Sequence, residues 1–182
     1  MDVAAFNFIG ALAALGGQIL LAGIVLGLVL ERFDSRPAYL AALGRNGLWL
    51  AFFVTLAGVL GSLYYSEIAG YEPCSLCWWQ RIFLYPQVVL LGMALAKRDT
   101  RIIDYALVLA VLGALIAGYH TTFQFTDTVL PCPAGGGDCG KLFVHEFGYI
   151  TIPVMSLTMF LVIIASLLLA FVRQRLHPKG TD

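Results

Sequence analysis

Five long apolar stretches constrain this chain more than anything else in it. They run approximately Phe8–Leu30, Gly47–Ser66, Trp78–Ala96, Ile102–Phe123 and Tyr149–Val172. A hydrocarbon core of about 30 Å takes roughly 20 helical residues to cross, so each stretch is long enough to span it. Of the 182 residues, 60% are apolar and 12% charged. Soluble domains sit nearer half and about a quarter, so an all-α integral membrane protein is expected. The first stretch reads as a spanning helix and not as a cleaved signal peptide. Asp2 stands where a basic segment belongs, and the apolar run exceeds the usual 7 to 15 or so residues. Formal net charge is zero and no basic block occurs, which excludes nucleic acid as a partner. Short connections predict antiparallel neighbours. Gly58, Gly61, Gly113, Ala117 and Gly118 suit close helix contacts.

Lys and Arg in short loops set orientation. One set of loops holds Arg32, Arg36, Arg45, Lys97, Arg98, Arg101, Arg173, Arg175 and Lys179; the other holds Lys141 alone, amid Asp2, Glu67, Glu72, Asp127, Asp138 and Glu146. The N-terminus is therefore expected outside and the C-terminus in the cytoplasm. Cys74, Cys77, Cys132 and Cys139 then all fall on the extracytoplasmic side, where disulfides persist.

Cys74 and Cys77 belong to Glu72-Pro-Cys-Ser-Leu-Cys-Trp-Trp-Gln-Arg81. Pro73 suits the first turn of a helix, which places both cysteines near the positive end of its dipole, where a thiolate is stabilised. Arg81 lies one turn deeper than Cys77 on the same face. Trp78 and Trp79 mark the headgroup level, so Cys77 is expected where water meets hydrocarbon, within reach of a lipid-soluble electron carrier, with Cys74 closer to water. An intramembrane Arg marks function, or else snorkels to the headgroups. A CxxC alone is a redox motif, half of a zinc site or a structural bridge. Trp78, not His, follows Cys77, which disfavours a c-type haem. Oxidising surroundings and the spacing of the second pair argue against a zinc site built from all four thiolates, so no metal is expected.

The second pair, Cys132 and Cys139, encloses six residues including Gly135–Gly137, within an irregular segment Gln124–Gly148 that also carries Pro131 and Pro133. Closing so short a loop contributes on the order of 2 to 3 kcal/mol, so the pair suits exchange with a partner's thiolate better than a staple. Two such pairs imply a relay from a soluble dithiol to a membrane acceptor, for which the bilayer offers quinone. Lys141–Ile150, with Leu142, Phe143, Phe147, Tyr149 and Ile150, is either a short surface helix or a loop with interfacial aromatics.

Cys-Ser-Leu-Cys-Trp-Trp-Gln-Arg-Ile-Phe-Leu-Tyr-Pro (74–86) closely resembles the quinone-linked disulfide oxidases of the DsbB/BdbC family, as do Gly-Tyr-His-Thr-Thr-Phe-Gln (118–124), Pro-Cys…Cys (131–139) and Gly-Tyr-Ile-Thr-Ile-Pro (148–153). The compact second cysteine loop leans toward the BdbC-like branch. The resemblance covers roughly residues 47–172 and implies a four-helix transmembrane bundle in the bacterial inner membrane. Residues 1–46 are then an additional N-terminal transmembrane helix with a basic loop, and 173–182 a cytoplasmic tail. It further implies a thiol:quinone oxidoreductase that supports protein folding by reoxidising a DsbA/BdbD-like thioredoxin-fold partner, with ubiquinone or menaquinone as cofactor and a monomer as the functional unit. By motif, Cys132 forms the mixed disulfide with the partner, Cys139 exchanges with Cys74, and Cys77 contacts the quinone beside Arg81. His120 matches a position associated with quinone binding or protonation; a packed interfacial histidine is the plainer reading.

Two other classes remain. A vitamin-K-epoxide-reductase-like protein shares the helical bundle and relay, but there the CxxC follows the loop cysteines, the reverse of the order here. A membrane subunit with structural disulfides resists added dithiol, which thiol trapping distinguishes. A transporter is disfavoured because the spans hold few ionisable residues beyond Arg81 and His120.

Overall fold

A computed structural model describes residues 2–31, 38–97, 99, 101–126 and 138–176. Five α-helices follow one another: α1 (Val3–Glu31), α2 (Ala38–Leu63), α3 (Ser75–Lys97), α4 (Ile102–Phe125) and α5 (Ile152–Leu176). A π-helical turn, Tyr64–Ile68, extends α2, and no strand occurs among the described residues. The expected all-α membrane architecture is the one observed. α1, α2 with its π turn, α4 and α5 are each long and apolar enough to cross a bilayer. α3, with 23 residues, is the least apolar of the five, because Gln80, Arg81, Gln87 and Lys97 interrupt it. At 1.5 Å per residue it still reaches roughly 34 Å.

α2, α3, α4 and α5 close a ring, each packing on its two neighbours, and α1 lies outside the ring, mainly against α5. The polarity is inverted relative to a soluble bundle. Thr55, Gln80, Gln87, His120, Thr158 and Ser166 are buried, while Ile19, Leu60, Val89 and Leu115 face outward. Lipid supplies no hydrogen bonds, so polar groups gather where protein can satisfy them. Ser166 and Thr55, for example, donate to the carbonyls of Val162 and Ala51.

Small residues set the closest contacts, though not all those expected. A Cβ on Gly47 would strike the Ser166 carbonyl of α5, and one on Gly113 would strike the Phe160 ring. Gly58 faces Met159, whereas Gly118 has nothing within 4 Å. The tight α2–α5 seam therefore runs through Gly44 and Gly47, near the start of the apolar run. α2 also begins nine residues before Gly47, so Arg45, expected in a loop, lies within the helix. Hydropathy reports where lipid is tolerated; backbone hydrogen bonding continues past that limit.

Between Lys141 and Ile150 the chain forms no helix. Glu146 and Ile150 exchange backbone hydrogen bonds of 2.9 and 2.8 Å, closed by Phe147 at φ 53° and Gly148 at φ 79°. Gly148 takes the left-handed conformation without a Cβ penalty. The loop alternative is the observed one, and α5 starts at Ile152, with Pro153 in its first turn, where a missing N–H costs nothing. Pro131, Cys132, Pro133, Gly135–Gly137, Arg32, Arg36, Arg98 and Lys179 lie outside the described residues.

Candidate redox site

α3 displays three stripes. Leu76, Gln80, Leu84, Gln87, Leu91 and Ala94 face the bundle interior, and Trp78, Trp79, Ile82 and Val89 face outward. Between them Cys77, Arg81 and Tyr85, spaced by four, form a half-buried stripe. The helical period carries Cys77 and Arg81 onto one edge, as their spacing predicts.

Cys74 stands just ahead of the helix, as its cap. Its carbonyl accepts the Trp78 N–H at 3.1 Å, and its Sγ accepts the Cys77 N–H at 3.4 Å. A side chain that accepts from the third helical amide is the usual way to satisfy an orphan donor, with sulfur here in place of oxygen. Cys77 Sγ lies 3.1 Å from Cys74 Sγ, within hydrogen-bonding distance. That hydrogen bond holds the Cys74 thiol below its ordinary range. Burial pushes the other way, and the contact with His120 adds to the lowering. Cys74 is 4% exposed and packs with Leu76 and Cys139.

His120, near the end of α4, is 2% exposed. Its Nε2 lies 3.1 Å from the Cys139 carbonyl and 3.9 Å from Cys74 Sγ. Its Nδ1 lies 3.2 Å from Gln80 Nε2. If that amide donates, Nδ1 accepts and Nε2 carries the proton toward Cys139 and Cys74. Cys139 is disulfide-bonded, 1% exposed, and packs in one buried cluster with Cys74 and Leu76, flanked by Cys77, Ile116, Tyr119 and Phe123. Cys74 and Cys77 are thiols. Cys132 lies outside the described residues.

Arg81 turns toward α2. Its Nε donates to Ser62 Oγ at 2.9 Å and its Nη2 to the Ser62 carbonyl at 3.0 Å. Ser62 sits where α-helix gives way to the π turn, at the negative end of the α2 dipole. The guanidinium also lies 5.1 Å from the Trp78 ring centroid. The guanidinium is thus held at the C-terminal end of a helix, where the dipole favours a cation. Ser62 and Gln80 are the site residues that sequence reasoning did not single out. Gln80 stood inside the CxxC motif, but nothing local marks Ser62.

A cleft above the thiols is lined by Glu72, Cys74, Cys77, His120, Gln124, Asp138, Cys139, Lys141 and Thr151, among others. Two buried oxygens, Gln124 Oε1 and Thr151 Oγ1, have no hydrogen-bond partner among the described residues. Such a cleft can host thiol–disulfide exchange: a thiolate-forming sulfur, an imidazole and disulfide-bonded Cys139 share one enclosure.

Residues 44–170 match the family model described as disulfide bond formation protein DsbB. The chain is 45% identical over 120 residues to the "Probable disulfide formation protein C" of Bacillus cereus, covering 63% of this chain and 82% of that one. It is 42% identical over 120 residues to the "Disulfide bond formation protein C" of Bacillus subtilis, covering 64% and 86%. A "Probable disulfide formation protein" of Metapseudomonas resinovorans is 35% identical over 136 residues, covering 73% and 93%. No solved structure matches. Fold and site together define a multi-pass bacterial membrane oxidoreductase of disulfide formation. The chain belongs to the DsbB family, through the part that comprises all of α3 and α4 and most of α2 and α5.

Proposed function

We propose that this chain is a thiol:quinone oxidoreductase that reoxidises a DsbA/BdbD-like thioredoxin-fold dithiol on the extracytoplasmic side and delivers two electrons to ubiquinone or menaquinone. One observation carries the reading: the Cys74/Cys77 thiols, 3.1 Å apart, share a buried cluster with disulfide-bonded Cys139. A partner thiolate attacks Cys132 of the outer disulfide, forming a mixed disulfide and releasing Cys139 as thiolate. The second partner thiol resolves that bond, leaving partner oxidised and outer pair reduced. The Cys139 thiolate then attacks Cys74 of an inner disulfide and releases Cys77; Cys132 closes the outer disulfide again and leaves Cys74 and Cys77 as thiols. Each exchange forms one S–S bond and breaks one.

Arg81 and Cys77 fit a quinone. Ser62 occupies only part of the guanidinium, so N–H donors remain for a carbonyl oxygen, and the outward Trp78, Trp79 and Ile82 offer an apolar approach from lipid. The bound quinone supplies a two-electron, two-proton acceptor. We assign His120 to the sulfur side of that arrangement: between Cys74 and the Cys139 carbonyl it holds or gives up a proton at Nε2 as the sulfurs exchange. The nine-to-one distribution of basic residues supports an N-terminus outside, a cytoplasmic C-terminus and extracytoplasmic cysteines. The monomer contains every residue used.

The test is quinone reduction by a reduced thioredoxin-fold dithiol, followed optically with purified full-length protein. Wild type should accelerate it, and Cys77→Ser should abolish turnover. Full rate in Cys77→Ser would remove Cys77 from the quinone side.

A further inference from the structure

The thiol pair and His120 have a property that electron transfer does not require. Cys74 Sγ, Cys77 Sγ and a ring nitrogen of His120 all lie within 4.8 Å of one another. Tetrahedral zinc, with Zn–S of about 2.3 Å and Zn–N of about 2.0 Å, needs ligand atoms only roughly 3.5 to 4 Å apart. The observed Cys74–His120 separation of 3.9 Å falls in that range, and Cys74–Cys77 at 3.1 Å falls just short of it, a difference that a small side-chain rotation closes. Thiolate and imidazole donors in this number suit zinc over harder cations. Gln80 stands on the far side of the imidazole at 3.2 Å, and with its amide turned it would accept from Nδ1–H and free Nε2 for a metal. The cleft that these three residues line also carries Glu72, Asp138 and the buried Thr151 Oγ1, which has no hydrogen-bond partner among the described residues.

We propose that Cys74, Cys77 and His120 form a zinc site that exists only while the inner pair is reduced, and that occupancy arrests the protein in that state. Zn2+ displaces the proton of each thiol, forms two Zn–S bonds and one Zn–N bond, and transfers no electrons. A Cys74–Cys77 disulfide removes both thiolates and therefore the site. Binding stands on the donor geometry alone; arrest rests on the redox reading given above.

Binding is measured first, with Zn2+ alone, on full-length detergent-solubilised protein free of quinone and thiol partner. Protein reduced at the inner pair should take up about one Zn2+ per chain by elemental analysis, and oxidised protein none. Cys77→Ser and His120→Ala should each weaken binding by more than about 100-fold, and Gln80→Ala by about tenfold. His145→Ala, at an exposed histidine, should change nothing. In wild type, Zn2+ should protect Cys74 and Cys77 from alkylation, mapped by mass spectrometry, which keeps the test decisive if a variant misfolds. Equal uptake by oxidised protein, loss on His145→Ala instead of His120→Ala, or no protection of the two cysteines overturns the site. Arrest is measured separately: Zn2+ should stop quinone reduction, and a chelator should restore it. Specific binding without arrest would leave the site and refute the relay's dependence on that pair.

Discussion

Cys74 draws its character from where it sits. A sulfur that caps a helix, accepts from the next cysteine and touches His120 is better prepared to carry charge than a thiol in an apolar core. Removing His120 removes one of the lowering contributions. In metal-free, reduced His120→Ala, the thiolate of the inner pair should therefore appear at higher pH than in wild type. The sign follows from the direction: a depressed thiol is ionised above its own value, and losing a stabilising partner moves that value up. Thiolate absorbance against pH measures it, and an unchanged midpoint would exclude His120 as a contributor. Arg81 gives a second case. Arg81→Ala should raise the apparent KM for quinone by about tenfold or more, with little change in that for the dithiol, because hydrogen bonds to a charged group are worth about 1.5–3 kcal/mol. Ser62→Ala, which leaves the carbonyl contact in place, should act in the same direction but by roughly fivefold, about 1 kcal/mol. Equal effects on both substrates would make the pair structural.

At the scale of elements, the α2–α5 seam is the tightest in the bundle. Gly47→Leu puts side-chain atoms where the Ser166 carbonyl lies, and should cost on the order of 1–3 kcal/mol in detergent unfolding. Gly118→Ala, with open space around it, should be neutral or stabilising by about 0.5–1 kcal/mol. Sequence alone does not separate these two glycines, because helix facing depends on which neighbours arrive. It does identify the five helices, since the demands of lipid are written along each segment, and it places Cys77 and Arg81 on one edge, since the helical period is local. Ser62 was illegible for the opposite reason. Its value comes from the point where α2 changes winding beside α3, a relation between residues 19 apart in sequence. The capping role of Cys74 was half legible: the spacing and Pro73 announced a helix start, but not that its first sulfur would be the cap.

For the whole molecule, α1 lies outside both the closed ring and the family match. Its polar ties to the bundle include Gln18, which donates to Thr158 at 3.3 Å and accepts from Tyr149 at 2.7 Å, and the Gly23 carbonyl, which accepts from Tyr39 of α2 at 2.7 Å. A chain lacking residues 1–31 should lose thermal stability yet keep its KM for quinone and for dithiol within a few-fold. Large loss of turnover in a folded, truncated protein would place α1 in the mechanism. The coexistence of inner thiols with disulfide-bonded Cys139 predicts ping-pong kinetics, seen as parallel double-reciprocal plots when quinone and dithiol are varied together. It has a further consequence for how the protein keeps time. On the proposed relay, a dithiol partner would arrive by three-dimensional diffusion through an aqueous compartment and a quinone by two-dimensional diffusion in the bilayer, neither stream knowing the schedule of the other. A molecule that stores one delivery while its outer pair is reset works as a single-place queue between them. Throughput then follows the slower stream and never waits for both visitors at once.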